Sequence, residues 1–108
     1  MVNYSEGKIY RIQPKRGIID GDVYIGHTCR PDLNQRWNEH IKSYKRKVKY
    51  GCASSTTTAC KLFSKYGING LEIVLIDRVN GKSLEEVISR EMFHIRNTNC
   101  VNSNIRKL

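Results

Sequence analysis

No uninterrupted run of 18 apolar residues occurs in the sequence, which excludes an ordinary membrane-spanning helix. The opening stretch MVNYSEGKIYRIQPKR lacks the apolar centre of a secretory signal, so the expectation is a soluble chain that is not secreted. The four cysteines, Cys29, Cys52, Cys60 and Cys100, form no CxxC pair and no Cys/His set at zinc-finger spacing, and are expected to be free thiols in a reducing compartment. Also missing are GxxxxGK[ST], HExxH, GxSxG and the glycine fingerprint of dinucleotide binding. NTP hydrolysis, zinc proteolysis, elbow-type acyl transfer and NAD chemistry therefore have no support.

Acids are scarce as well. Ten Asp and Glu stand against 19 Lys and Arg, a net charge of +9 over 108 residues. From His40 to Leu71 there is no acid at all, while Lys42, Lys45, Arg46, Lys47, Lys49, Lys61 and Lys65 supply seven positive charges. A one-signed segment of this length is the footprint of a polyanion partner, nucleic acid before an anionic membrane surface, because each phosphate neutralised releases condensed counterions. A merely solubilising surface is the alternative.

What is present suffices for one small core. With 39% hydrophobic and 27% charged residues, the chain is expected to be a single globular domain over residues 1–108. Lys8 to Gln13 and Asp22 to Gly26 are rich in Ile, Val and Tyr and read as strands. Pro14, Gly17 and Asp20-Gly21 between them predict an antiparallel hairpin with a tight reversal. Leu33 to Val48 has helical periodicity, with Leu33, Trp37, Ile41, Tyr44 and Val48 in a stripe roughly 80° wide. The polar run Ala53 to Thr58 predicts a loop, followed by a short helix over Ala59 to Tyr66 closed by Gly67. Leu71 to Asp77, a near-continuous apolar run, predicts the central strand, and Asn80-Gly81 a turn. Ser83 and Glu86 make a capping-box pattern for a last helix reaching about Arg96, whose stripe holds Leu84, Val87, Ile88, Met92 and Ile95. The order predicts an α+β domain, an antiparallel sheet with helices packed around it.

Three features of this pattern bear on chemistry. Glu91 falls inside the apolar stripe of the last helix, where a carboxylate costs several kcal/mol unless it is paired or holds a cation. It is either a buried ion-pair partner or a hard oxygen ligand of the kind Mg²⁺ takes together with waters and substrate phosphate. Arg36 and His40, at i and i+4, share the helix flank beside the Trp37 stripe. They could grip a phosphate and assist proton transfer near neutral pH, or serve as a surface cation and a packed ring. Tyr10 and Tyr24 lie mid-strand, as packing residues or as phenols at an attacking water. His27 directly follows Gly26, and His94, off the stripe, is assigned no role.

Taken together, Lys8-Ile9-Tyr10, Val23-Tyr24-Ile25-Gly26, a helix with Arg36 and His40, a late-helix Glu91 and then Cys100-Val101-Asn102 resemble the GIY-YIG nuclease family over about residues 7 to 103. The likeness is to short stand-alone members of large DNA viruses and phages, which would place the chain in a host cell, in the cytoplasm or wherever the DNA is. It implies a small α/β sandwich with a central three-stranded antiparallel sheet and metal-dependent hydrolysis of DNA phosphodiesters. By the family pattern Glu91 holds one Mg²⁺ (or Mn²⁺), Tyr10 and Tyr24 flank the attacking water, and Arg36 stabilises phosphoryl charge. His40 supports proton transfer or substrate positioning, and Asn102 braces the site. Lys42, Lys45, Arg46, Lys47 and Lys49 become candidate DNA contacts. Lys8 stands where the family has glycine. His27 stands where some members have lysine, which it could replace only when protonated. The motifs include no separate DNA-reading unit, so specificity is expected to be low, directed by DNA structure, or supplied by a protein partner or flanking targeting domain. The competing expectation is a non-catalytic basic module that keeps the fold and binds nucleic acid.

Overall fold

Alternation along the first strand, β1 (Gly7–Pro14), sends Ile9 to one face of the sheet and Tyr10 and Ile12 to the other, all fully buried. Both edges of β1 are paired, because β2 (Tyr24–Thr28) and β3 (Leu71–Val79) flank it antiparallel in the order β2-β1-β3. The structure, a computed structural model, describes residues 4–17, 21–49, 58–98 and 100. Among these residues three α-helices complete it: α1 (Leu33–Lys49), α2 (Thr58–Tyr66) and α3 (Leu84–Arg96). Among the described residues no helix is long and apolar enough to cross a membrane.

Each face of the sheet has its own cluster. On one, Ile9, Val23 and Ile25 meet Val87, Ile95 and Cys100, with Ile76, Val79 and Met92 packed alongside. On the other, Tyr10, Ile12, Leu62, Phe63 and Leu71 are covered by Leu33, Trp37, Ile41 and Tyr44 of α1, the stripe expected from periodicity. Trp37 and Tyr44 both pack on the Phe63 ring, with centroids 5.5 and 5.2 Å away. The result is an α+β sandwich with a three-stranded antiparallel sheet at its centre.

Several expectations need correction. The apolar run from Leu71 is an edge strand, and the central strand is β1. In β3, Leu71 and Ile73 face the α1/α2 side while Ile76 and Val79 face the α3 side, so a continuous apolar run records cover on both faces and not pairing on both edges. Strand β2 begins at Tyr24, not Asp22. The Asp22 carboxylate instead accepts hydrogen bonds from the Tyr66 hydroxyl and from Lys65 Nζ at 2.9 Å, which together hold it below the usual carboxylate range. The β1–β2 connection is no tight two-residue turn: it runs over residues 15–23, of which 18–20 lie outside the described residues.

Two of the stripe positions on α3 are surface residues, Leu84 at 44% and Ile88 at 39% exposure, while Val87 and Ile95 carry the packing. The helix starts as expected at Ser83, whose side chain accepts from Glu86 N. The returning arm goes to the Lys82 N–H, which donates to Glu86 Oε2 at 2.6 Å. Gly67 closes α2 with φ +76°, its N–H donating to Phe63 O. Cys29 and Cys100 are in no disulfide; Cys52, the Cys60 side chain and the Ser/Thr run from Ala53 to Thr57 lie outside what is described.

Candidate active site

In the register of β1 and β2, Tyr10 faces Gly26 directly. A Cβ on Gly26 would stand 2.5 Å from Tyr10 Cζ and closer still to its hydroxyl, so only glycine leaves room for the phenol over the neighbouring strand. Next to this pair the β1–β3 register shifts: Ile9 pairs with Asp77 and Tyr10 with Leu75, a bulge that re-aims the chain at Tyr10.

The phenol so placed is the hub of a hydrogen-bonded network. Arg36 Nε donates to Tyr10 Oη at 3.1 Å, and Tyr10 Oη lies 2.7 Å from His40 Nε2. The Tyr10 oxygen accepts from Arg36, and its own proton goes to His40 in the tautomer that leaves Nε2 unprotonated. The helical spacing of Arg36 and His40 is what brings one to each side of the same hydroxyl. The Tyr24 ring adjoins both, with centroids 6.4 Å from Tyr10 and 5.7 Å from His40.

Burial sets the proton affinities here. Desolvation, with the Arg36 cation beside it, lowers His40 to about 4, so it is neutral at pH 7 and not poised near neutrality as the sequence suggested. Desolvation raises Tyr10 and Tyr24 above the usual phenol range, and the Glu91 carboxylate adds to both shifts. For Arg36, burial works to lower the guanidinium, but Tyr10, Tyr24 and Glu39 outweigh it and raise it.

A neutral, half-buried histidine has a thermodynamic signature. The His40 pKa is lower folded than unfolded, so its contribution is complete above pH 6.5 and is lost as pH falls toward 4, where the difference reaches at most about 3 kcal/mol. Urea unfolding between pH 7 and pH 4.5 is expected to show this decline, and His40→Gln to flatten it. A decline equally steep in the variant would assign the effect to other groups.

Glu91 comes from α3, on the opposite face of the sheet. Residues of β2 alternate, so Tyr24 and Gly26 face α1 while Ile25 and His27 face α3. His27 Nδ1 meets Glu91 Oε2 at 2.5 Å, and since a carboxylate only accepts, Nδ1 carries the proton. The Glu91 charge acts on both tyrosines from the other face of the sheet and raises their proton affinity.

Glu91 is 14% exposed and spends one oxygen on His27. Among the described residues no group of three His, Cys, Asp or Glu could hold a metal ion, so a many-ligand cage is not on offer. A single partly buried carboxylate does suit Mg²⁺, which keeps most of its waters.

Lys42, Lys45, Arg46 and Lys49 are exposed on α1 and share a face about 100° wide, away from His40. The Lys47 side chain and Asn102 lie outside what is described. The sequence reading passed over His94, whose Nε2 donates to Asp77 Oδ2 at 2.9 Å and ties α3 to β3. It also passed over Glu39, which touches Arg36. The i,i+3 spacing of Arg36 and Glu39 was the available signal.

A family model described as the GIY-YIG catalytic domain matches residues 6–99. Comparison with curated proteins and with solved structures found no match.

Proposed function

The chain belongs to the GIY-YIG family, a family of nucleases generally dependent on a divalent metal, and from that premise we propose that it is a DNA endonuclease hydrolysing phosphodiester bonds. The observation that carries this reading is the Arg36–Tyr10–His40 network within the field of Glu91. In this reading residues 1–108 are one nuclease domain.

Glu91 is the residue that would hold Mg²⁺ (or Mn²⁺), with His27 fixing one oxygen of the carboxylate through Nδ1–H. When bound, such a cation polarises phosphoryl oxygens and favours ionisation of water. Tyr24, half-buried, is the phenol that faces the attacking water, whereas Tyr10 is fully closed off and works through its partners. Tyr10 keeps its proton at neutral pH, and its hydrogen bonds to Arg36 and the neutral His40 hold both side chains in place beside Tyr24. Arg36, with its remaining N–H groups, binds the phosphoryl oxygens as negative charge builds there. Lys42, Lys45, Arg46, Lys47 and Lys49 contact the phosphates of the flanking duplex, and Asn102 braces the site.

The test is incubation with supercoiled plasmid and with branched DNA, with Mg²⁺ and with EDTA. Nicking that requires the metal supports the reading; metal-independent retention of DNA without cleavage would replace it by the non-catalytic binding module. Arg36→Ala is expected to lower kcat about 10²-fold, as removal of a transition-state donor does. If only KM changed, Arg36 would belong with the residues that position DNA.

A further inference from the structure

Arg30, in the loop after β2, is held at three points. Its N–H donates to Thr28 Oγ1 at 3.1 Å, its carbonyl accepts from Lys8 Nζ at 2.8 Å, and its Nη2 donates to Glu39 Oε2 at 2.9 Å. Lys8 is only 3% exposed, and its ammonium also bonds Glu6 O at 2.8 Å and Glu6 Oε2 at 3.3 Å. A lysine so enclosed is costly unless its hydrogens are matched, and here the match includes the Arg30 backbone. The lysine at the family's glycine position thus anchors the loop.

The other oxygen of Glu39 receives Arg36 Nη1 at 3.5 Å. One carboxylate therefore spaces two guanidiniums, one per oxygen. Partial burial works to raise the Glu39 carboxyl, and the two arginines overcome it, so it remains ionised at neutral pH. Stability does not account for this assembly: the Arg30 side chain is 58% exposed, and exposed ion pairs contribute only about 0.2–1 kcal/mol. Phosphates follow one another along each strand of a duplex, so two cations fixed side by side can engage more than one of them. A fork already ordered loses less freedom on binding than a mobile one.

Building on the nuclease reading, we infer that Arg30 is a second phosphate-binding residue, held beside Arg36 by the positioning residue Glu39 so that the two guanidiniums take consecutive phosphates of one strand. Binding is read by fluorescence anisotropy of a labelled duplex in EDTA across a NaCl series, and cleavage separately in Mg²⁺. Arg30→Ala is expected to weaken Kd and raise KM about tenfold and to lower the salt slope by about one, the loss falling on KM and not on kcat. Arg30→Lys is expected to restore the slope. Glu39→Gln removes a negative charge and so should bind DNA as tightly as the wild type or more tightly, yet turn over about tenfold more slowly because Arg36 is less well held. Wild-type affinity and slope in Arg30→Ala would overturn the phosphate contact, and an unchanged kcat in Glu39→Gln the positioning role. A chain that never nicks plasmid would overturn the nuclease reading instead, and the anisotropy series would still decide Arg30.

Discussion

In Glu91→Gln, Mg²⁺-dependent nicking of supercoiled plasmid is expected to fall about 10³-fold or more, with the fold intact. Several kcal/mol of transition-state stabilisation are at stake when a catalytic cation is lost, and each 1.36 kcal/mol is about tenfold in rate. The amide keeps the shape of the side chain, and its oxygen can still accept from His27 Nδ1–H, so urea unfolding should move by no more than about 1 kcal/mol. That pairing of outcomes separates a ligand from a buried ion-pair partner. If Glu91 served only to satisfy His27, the variant would lose a little stability and cut DNA as before, and the metal-ligand assignment would fall.

Gly26→Ala is expected to have the second large effect, for a different reason. The added Cβ would overlap the Tyr10 phenol, and the phenol cannot give way because Arg36, His40 and Tyr24 enclose it. Overpacking of this kind costs about 1–3 kcal/mol, which in a domain of this size lowers Tm by roughly 4–8 °C per kcal/mol. Cleavage should fall by about 10² or more, since displacing Tyr10 moves both of its partners together. Gly70→Ala is the control: its Cβ would approach only Tyr66 Cβ, at 3.3 Å, far from this network. A Gly26→Ala protein with wild-type Tm and rate would mean that Tyr10 is free to shift, and the network would lose its claim to rigidity.

Both variants concern residues that the sequence singles out, but it singles them out unequally. Glu91 is legible as a carboxylate on an apolar stripe, and helical geometry alone makes it conspicuous. Arg36 and His40 are legible as a shared flank, yet nothing local says that the flank meets Tyr10. His40 was expected to titrate near neutrality, because a solvated histidine does; the depressed value comes from burial and the adjacent guanidinium, which exist only after packing. Gly26 reads in sequence as part of a short motif, and its necessity appears only in the β1–β2 register.

The misread elements share one cause. The Leu71 run was placed at the sheet centre because apolar density reports cover by helices, not how many edges are paired. Leu84 and Ile88 were placed in the core because periodicity marks a face without saying how much of it a neighbour covers. Asp22 was placed in a strand, whereas its carboxylate is drawn to Tyr66 and Lys65, more than 40 positions away.

By itself the sequence determined the α+β class, the extents of the helices, the concentration of positive charge beyond His40, and the family. These depend on local periodicity, capping and motif order, which act over a few residues at a time. Only the tertiary structure decided that β1 is central and that a phenol links Arg36 to His40. It also decided that Glu91 of α3 pairs with His27 of β2, and that Lys8 and Glu39 hold Arg30 beside Arg36. Each of these joins residues distant in the chain, and such contacts are set by register and by which faces pack, quantities that no short window of sequence contains.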